Sequence, residues 1–404
     1  FGVIKSAKIK NVKLINVDIT GGSVIGALVG RAAADETGAS LIASSSASGK
    51  VTATGYSFIK QTDVGGLVGV NDSFSAESGI ENMSAIDNCI ADIEVSAGEK
   101  GKAEAGHVGG FVGLNKGTVL NSAAHGNVLG GNTTGGFAGI NYGGSIYRSS
   151  ASGNVSGAYS TGGFAGSLGL FSVTENCSST GDVTAVGEGG SYFGGFAGTI
   201  SGKAKNCVSA GTLSTGWSYN GGFAGSFDGV VWSYNDNLRS IKNCFANSYT
   251  VDGAKIKALG SYIGGVHAPS DMAAEEIGVD KETAERKIKE ISAENKLAEE
   301  AAKYKDSAAV PATVREGADI TDLVARLNIN NSANADITLS YKSDSNVIGA
   351  DDNGYTLTQK SDSVENVVLT FKSDGATLDK NIAVTLSATA KDIDKDALLE
   401  NIAR

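Results

Sequence analysis

Along the first two thirds of the chain, apolar positions come in short runs closed by glycine, and one run keeps returning. It reads Gly-Gly-Leu-Val-Gly at 65–69, Gly-Gly-Phe-Val-Gly at 109–113 and Gly-Gly-Phe-Ala-Gly at 135–139, 162–166, 194–198 and 221–225. Looser copies stand at Gly26–Gly30 and around Gly264–Gly265. The starts at 109, 135, 162, 194 and 221 lie 26, 27, 32 and 27 residues apart, a period that signals stacked coils or blades. A second phrase falls between the pentapeptides: Ile86-Asp87-Asn88-Cys89, Val119-Leu120-Asn121-Ser122, Ile146-Tyr147-Arg148-Ser149, Ala204-Lys205-Asn206-Cys207 and Ile241-Lys242-Asn243-Cys244. Each unit therefore offers two or three short strands separated by glycine turns. Strands this short cannot bury an apolar face alone, so the units must stack. Stacking in register predicts an interior ladder of Phe111, Phe137, Phe164, Phe196 and Phe223. It also predicts a second ladder of Asn88, Asn121, Asn176, Asn206 and Asn243, with amides satisfying turn backbone groups. A β-propeller is the competing geometry, but its blades run longer, about 40 to 50 residues. The wider steps from 26 to 65, 65 to 109 and 221 to 264 call for insertions on one face or an extra degenerate coil.

The pattern changes after Pro269. Glycine thins out, and Ala284, Ile288, Ile291, Asn295, Ala298 and Ala302 recur at helical spacing behind Asp280, which can cap a helix. This helix is expected to cover the last coil of the stack. From about Pro311 the period becomes two: Ile337–Tyr341, Tyr355–Leu357, Val367–Phe371 and Ile382–Leu386 read as strands, with turns at Asp352-Asn353-Gly354 and Ser373-Asp374-Gly375.

Composition supports a folded, glycine-turned β protein. The 404 residues include 56 glycines but only two prolines, which excludes collagen. A net charge of −11 with scattered Lys and Arg argues against nucleic acid as a partner. No apolar run approaches the roughly 20 residues that span a bilayer. The chain carries no recognisable signal segment or anchor, so it reads as part of something longer. Cys89, Cys177, Cys207 and Cys244 all follow an asparagine, which makes them one repeat position rather than a disulfide framework or a metal site.

The Gly-Gly-Phe-Ala-Gly series, Leu114-Asn115 and Ile140-Asn141 after two copies, and the Asn-Cys phrases together resemble the GLUG motif of bacterial surface proteins. Such proteins include adhesins and the non-catalytic regions of IgA-specific metallopeptidases. The resemblance covers about residues 1–268 and implies a right-handed parallel β-helix, a β-solenoid, at the cell exterior. The later strands resemble an atrophied bacterial immunoglobulin-like domain through Ser343–Ile348 and Val384–Ala388, although Tyr341 stands where that family has tryptophan. The expected fold is thus mainly β: a solenoid at 1–268, a helical cap or linker at 269–309, a small Ig-like β-sandwich at 310–390, and the start of another linker at 391–404.

Catalytic chemistry is not expected. His107, His125 and His267 form no His-Glu-x-x-His, no nucleophile elbow or phosphate loop occurs, and Asp182, Asp228 and Asp236 are dispersed. No metal, catalytic residue or cofactor is assigned. Asp351 and Asp352 read as a hairpin turn rather than a calcium site. The candidate ligand-binding residues are Trp217, Tyr219, Trp232, Tyr234, Tyr192 and Tyr159, which stacked turns would align on one face. The expected protein is a monomeric rod, extracellular, secreted or at a bacterial surface, a non-catalytic adhesin or binding stalk for a host glycoprotein, immunoglobulin or polysaccharide. The alternative is a non-catalytic region of a large secreted metallopeptidase.

Overall fold

A computed structural model describes residues 1–54, 62–75, 81–97, 106–186, 191–215, 219–228, 240–263, 277–304, 306–310, 312–321, 337–351, 353–373 and 375–387. The chain divides into two compact units, Phe1–Ile288 and Lys289–Arg404.

The first unit is built from parallel strands, and each of its main sheets takes strands from successive repeats. Among the described residues, one sheet runs through nine strands from Val3–Lys5 to Leu259–Ile263, and another through eight from Lys8–Lys10 to Ser240–Lys242. A seven-stranded sheet carries the glycine that opens each pentapeptide: Gly65, Gly109, Gly135, Gly162, Gly194 and Gly221 lie in one register row. At this position the chain turns so sharply that a Cβ on Gly65 or Gly109 would overlap the carbonyl oxygen of Val68 or Val112. Only glycine fits. This arrangement of stacked parallel sheets is compatible with a β-helix.

The phenylalanine ladder forms as the spacing predicts. Phe111, Phe137, Phe164, Phe196 and Phe223 are fully buried, their ring centroids 4.7, 4.9, 4.8 and 5.0 Å apart and their planes within 7° of parallel. Backbone hydrogen bonds extend the column to Leu28 and Leu67 at one end and Ala258 at the other. The final coil corrects the sequence reading. Ala224 pairs with Leu259, so Ile256–Gly260 fills the pentapeptide slot, and Gly264–Gly265 lie outside the described residues. Ala258-Leu259-Gly260 keeps the closing glycine but exchanges the sizes, with alanine in the phenylalanine position and leucine in the alanine position.

The wide steps are insertions, not extra coils. Val29 pairs directly with Val68, and Val68 with Val112, one coil per pentapeptide. The step from 65 to 109 accommodates an antiparallel hairpin, Ser73–Ser75 with Glu81–Met83.

In the helix Lys281–Ala302, Asp280 caps the first turn by accepting from the Thr283 N–H at 2.7 Å. Near its start, Lys287 Nζ lies 5.1 Å from the centroid of Phe245, on the strand Phe245–Asn247, and Ala284 is fully buried. The later turns depart from the expected stripe: Leu297 and Ala301 are buried while Ala302 is exposed. Leu297, Ala301 and Tyr304 sit at helical spacing and carry the larger apolar surface, so that face enters the core of the second unit.

The second unit is mainly antiparallel. Ser363–Ser373 and Ala376–Leu386 form a long hairpin, Thr338–Ser343 pairs with the former, and Ser307–Val310 runs parallel to the latter. Ile348–Asp351 and Gly354–Leu357 form a second hairpin, with Asp351 Oδ1 accepting from the Asn353 N–H. Val367, Leu369, Phe371, Ile382 and Val384 are fully buried around Tyr355, whose hydroxyl donates to Val368 O at 2.8 Å. No helix among the described residues is long and apolar enough to cross a membrane.

Candidate ligand-binding face

The register that stacks the glycines also stacks what precedes them. Ser160 pairs with Tyr192, and Tyr192 with Tyr219. The rings of Tyr192 and Tyr219 therefore stack, with centroids 5.5 Å apart and planes 25° apart. Tyr159 stands one residue ahead of the row, so its ring meets Tyr192 edge-on at 5.9 Å and 89°. Tyr159 is 41% exposed and Tyr219 45%, enough to leave ring surface open to a ligand. Three of the six sequence candidates thus come together as a continuous aromatic column. Trp217, Trp232 and Tyr234 lie outside the described residues.

Toward the chain's beginning the same row holds Thr133, His107 and Asp63. His107 Nδ1 lies 2.7 Å from Asp63 Oδ1, and both side chains are largely buried. Other polar side chains bond from coil to coil. His125 contacts the Ser152 hydroxyl, and Asp182 Oδ1 accepts from both the N–H and the hydroxyl of Thr212 one coil on. The latter continues a ladder in which Asn127 accepts from the Asn154 N–H and Asn154 from the Asp182 N–H. Among the described residues no group of three His, Cys, Asp or Glu side chains is placed to hold a metal ion.

The asparagine ladder exists, but its bonding differs from expectation. Asn88, Asn121, Asn176, Asn206 and Asn243 all have φ between 47° and 56°, with Arg148 and Ser44 equivalent at 48°. Asparagine tolerates this left-handed corner better than most residues. The amides bond neighbouring side chains rather than turn backbone: Asn206 Nδ2 donates to Asn176 Oδ1 at 2.9 Å, and Asn243 Nδ2 to Asn206 Oδ1 at 2.8 Å. The next residue closes the corner. The Sγ of Cys89, Cys177, Cys207 and Cys244 donates to the carbonyl two residues earlier, and Ser45, Ser122 and Ser149 do the same through Oγ. From Ser45 to Cys244 the slot holds a γ donor, which small size alone does not capture, while the first coil fills it with Val12. All four cysteines are free and buried. Burial pushes the Cys89 thiol up to about 11 and raises Cys177 and Cys244 as well.

Two features escaped the sequence reading. One is a second, buried amide ladder of Asn71, Asn115 and Asn141. The other is a groove of about 560 Å³ whose lining includes Thr184, Leu213, Ser214 and Asp252. Asparagine follows the pentapeptide at this position in Asn71, Asn115 and Asn141 and then gives way to apolar residues, so the sequence does not mark the ladder, and nothing local signals the groove.

Neither the curated proteins nor the solved structures contain a match to this chain. One family model does match: residues 157–184, which hold Tyr159, the Gly162–Gly166 pentapeptide and Asn176-Cys177, are similar to the GLUG motif.

Proposed function

We propose that the chain is a non-catalytic binding stalk of a bacterial surface or secreted protein of adhesin type. A right-handed β-solenoid presents a repeat-built aromatic face to a host glycoprotein, immunoglobulin or polysaccharide, and an Ig-like module follows as a spacer. The observation that carries the reading is the column Tyr159, Tyr192 and Tyr219, open to solvent on a rigid sheet. Rigid rings of this kind offer large contact area at little entropic cost. The GLUG similarity supports the repeat architecture. The test is an array of host glycoproteins, immunoglobulins and glycans probed with the wild-type chain and with Tyr192→Ala. A ligand retained by wild type and lost by the variant supports the reading; silence across the array leaves a purely structural stalk.

A further inference from the structure

The groove lies one turn upstream of the tyrosines in each coil. Val183–Ala185 precedes Tyr192–Gly194, and Leu213–Ser214 precedes Tyr219–Gly221. Because Val183 pairs with Leu213 and Thr184 with Ser214, and Leu213 bridges to Thr250, the lining residues form rails across successive coils. A hydrogen bond ties the groove to the tyrosine strand: Thr215 Oγ1 donates to Asn220 Oδ1 at 2.9 Å, beside Tyr219. The lining mixes apolar and hydroxyl surface. Ala185 and the exposed Val251 give the apolar part, with Leu213 buried beneath them against Val183 and Phe193. Thr184, Ser214, Thr215 and Thr250 give hydroxyls, and Asp252 gives a carboxylate that accepts from Thr250 Oγ1 at 2.6 Å. No Lys, Arg or His is among the described residues that line it.

Resting on the binding-stalk reading, we infer that this groove and the adjoining tyrosine column together hold an uncharged glycan chain. The exposed edges and hydroxyls of Tyr159 and Tyr219 border the sugars, and the hydroxyl rails with Asp252 take their hydroxyl groups. Charge selects the class. With a carboxylate and no cation among the described lining residues, a uronate-rich, sialylated or sulfated chain would meet repulsion without compensation there. A neutral sugar can donate hydroxyl protons to Asp252 and exchange donors and acceptors with the serine and threonine hydroxyls. The ring spacing of 5.5–5.9 Å is close to the length of one pyranose unit, so consecutive sugars can run past the edges of consecutive rings.

The test is electrophoresis of the 404-residue chain in native gels carrying galactomannan, xyloglucan or mixed-linkage glucan, with polygalacturonate and hyaluronate as acidic counterparts. At least one neutral polymer retards wild type, and Ser214→Arg and Asp252→Ala each weaken that retardation tenfold or more. Ser214 and Asp252 are exposed, so both variants fold, which an unchanged melting temperature verifies; Thr184→Arg serves as a second block of the groove. Retardation lost in Tyr192→Ala but kept in Ser214→Arg and Thr184→Arg overturns the groove assignment and leaves the aromatic face standing. Preferential retention by the acidic polymers overturns the charge argument. No retention by any glycan, with a protein captured on the array, overturns this inference alone.

Discussion

Asn115 donates its amide N–H to Oδ1 of Asn141 across 2.8 Å, and both side chains are completely buried. Asn71 donates to Asn115 Oδ1 over the same distance, so three coils share one hydrogen-bonded chain. Beyond Asn141 the register position passes to Leu168, Ile200 and Phe227. The stack therefore accepts either a bonded amide column or an apolar one, and the costly state is a broken column.

Asn115→Ala leaves the donor of Asn71 and the acceptor of Asn141 unsatisfied inside the stack. Such a change is expected to cost roughly 2–6 kcal/mol, from about 1–3 per orphaned buried group. Replacing Asn71, Asn115 and Asn141 together by leucine is expected to cost less than the single alanine, because the three amides leave together and, among neighbouring side chains, only the Thr174 hydroxyl loses a partner. Urea denaturation of the two variants decides the order.

Phe164 lies between the rings of Phe137 and Phe196. Phe164→Ala is expected to lower stability by about 3–5 kcal/mol through the cavity it opens. Phe164→Leu should cost clearly less, since Leu28 and Leu67 already occupy this column. Guanidinium denaturation midpoints provide the comparison.

At the left-handed corner, Cys207 Sγ donates to Lys205 O at 3.2 Å. Cys207→Ser keeps a donor and is expected to stay within about 1 kcal/mol of wild type, whereas Cys207→Ala gives up the bond and some packing for a loss of roughly 1–2 kcal/mol. Equal stability for the two variants would mean that size alone governs the slot.

The Cys89 thiol, pushed by burial from 9.0 to about 11, is held neutral in the folded chain. Its folded pKa lies above the unfolded one. Its contribution is therefore fully present below pH 9 and is lost as pH rises through 11. Between these limits wild type should lose more stability than Cys89→Ser, measured as the shift in urea midpoint. The four buried thiols should also resist a thiol reagent until the chain is unfolded.

How much of this was legible depended on copy number. Phe111, Phe137, Phe164, Phe196 and Phe223 recur in a fixed phrase, so their ladder follows from spacing and the strand separation. The Tyr159, Tyr192 and Tyr219 column was legible for the same reason: each stands just ahead of a pentapeptide. The buried Asn71, Asn115 and Asn141 ladder was not, because later coils replace asparagine by leucine, isoleucine and phenylalanine. The last coil was misread because the Gly264-Gly265 doublet looked more like the phrase than Ala258-Leu259-Gly260, which holds the register. The groove joins Thr184, Ser214 and Asp252, residues that only pairing between coils brings together. The helix face was legible at Ala284 and Ile291 but not in the later turns, where alanines kept the period while Leu297 carried the burial.

The described residues from Phe1 to about Leu259 form one in-register stack. Lys10, Ala43, Asp87, Leu120, Tyr147, Glu175, Lys205 and Lys242 occupy one register row. With the four native cysteines replaced by serine, spin labels at Lys10 and Tyr147 should lie about 19 Å apart, four strand spacings of ~4.8 Å, and labels at Lys10 and Lys242 about 34 Å apart, seven spacings. Pulsed electron spin resonance distances that grow in that proportion support the stack. Distances that level off or fall between the two pairs, as blades around a centre would give, contradict it.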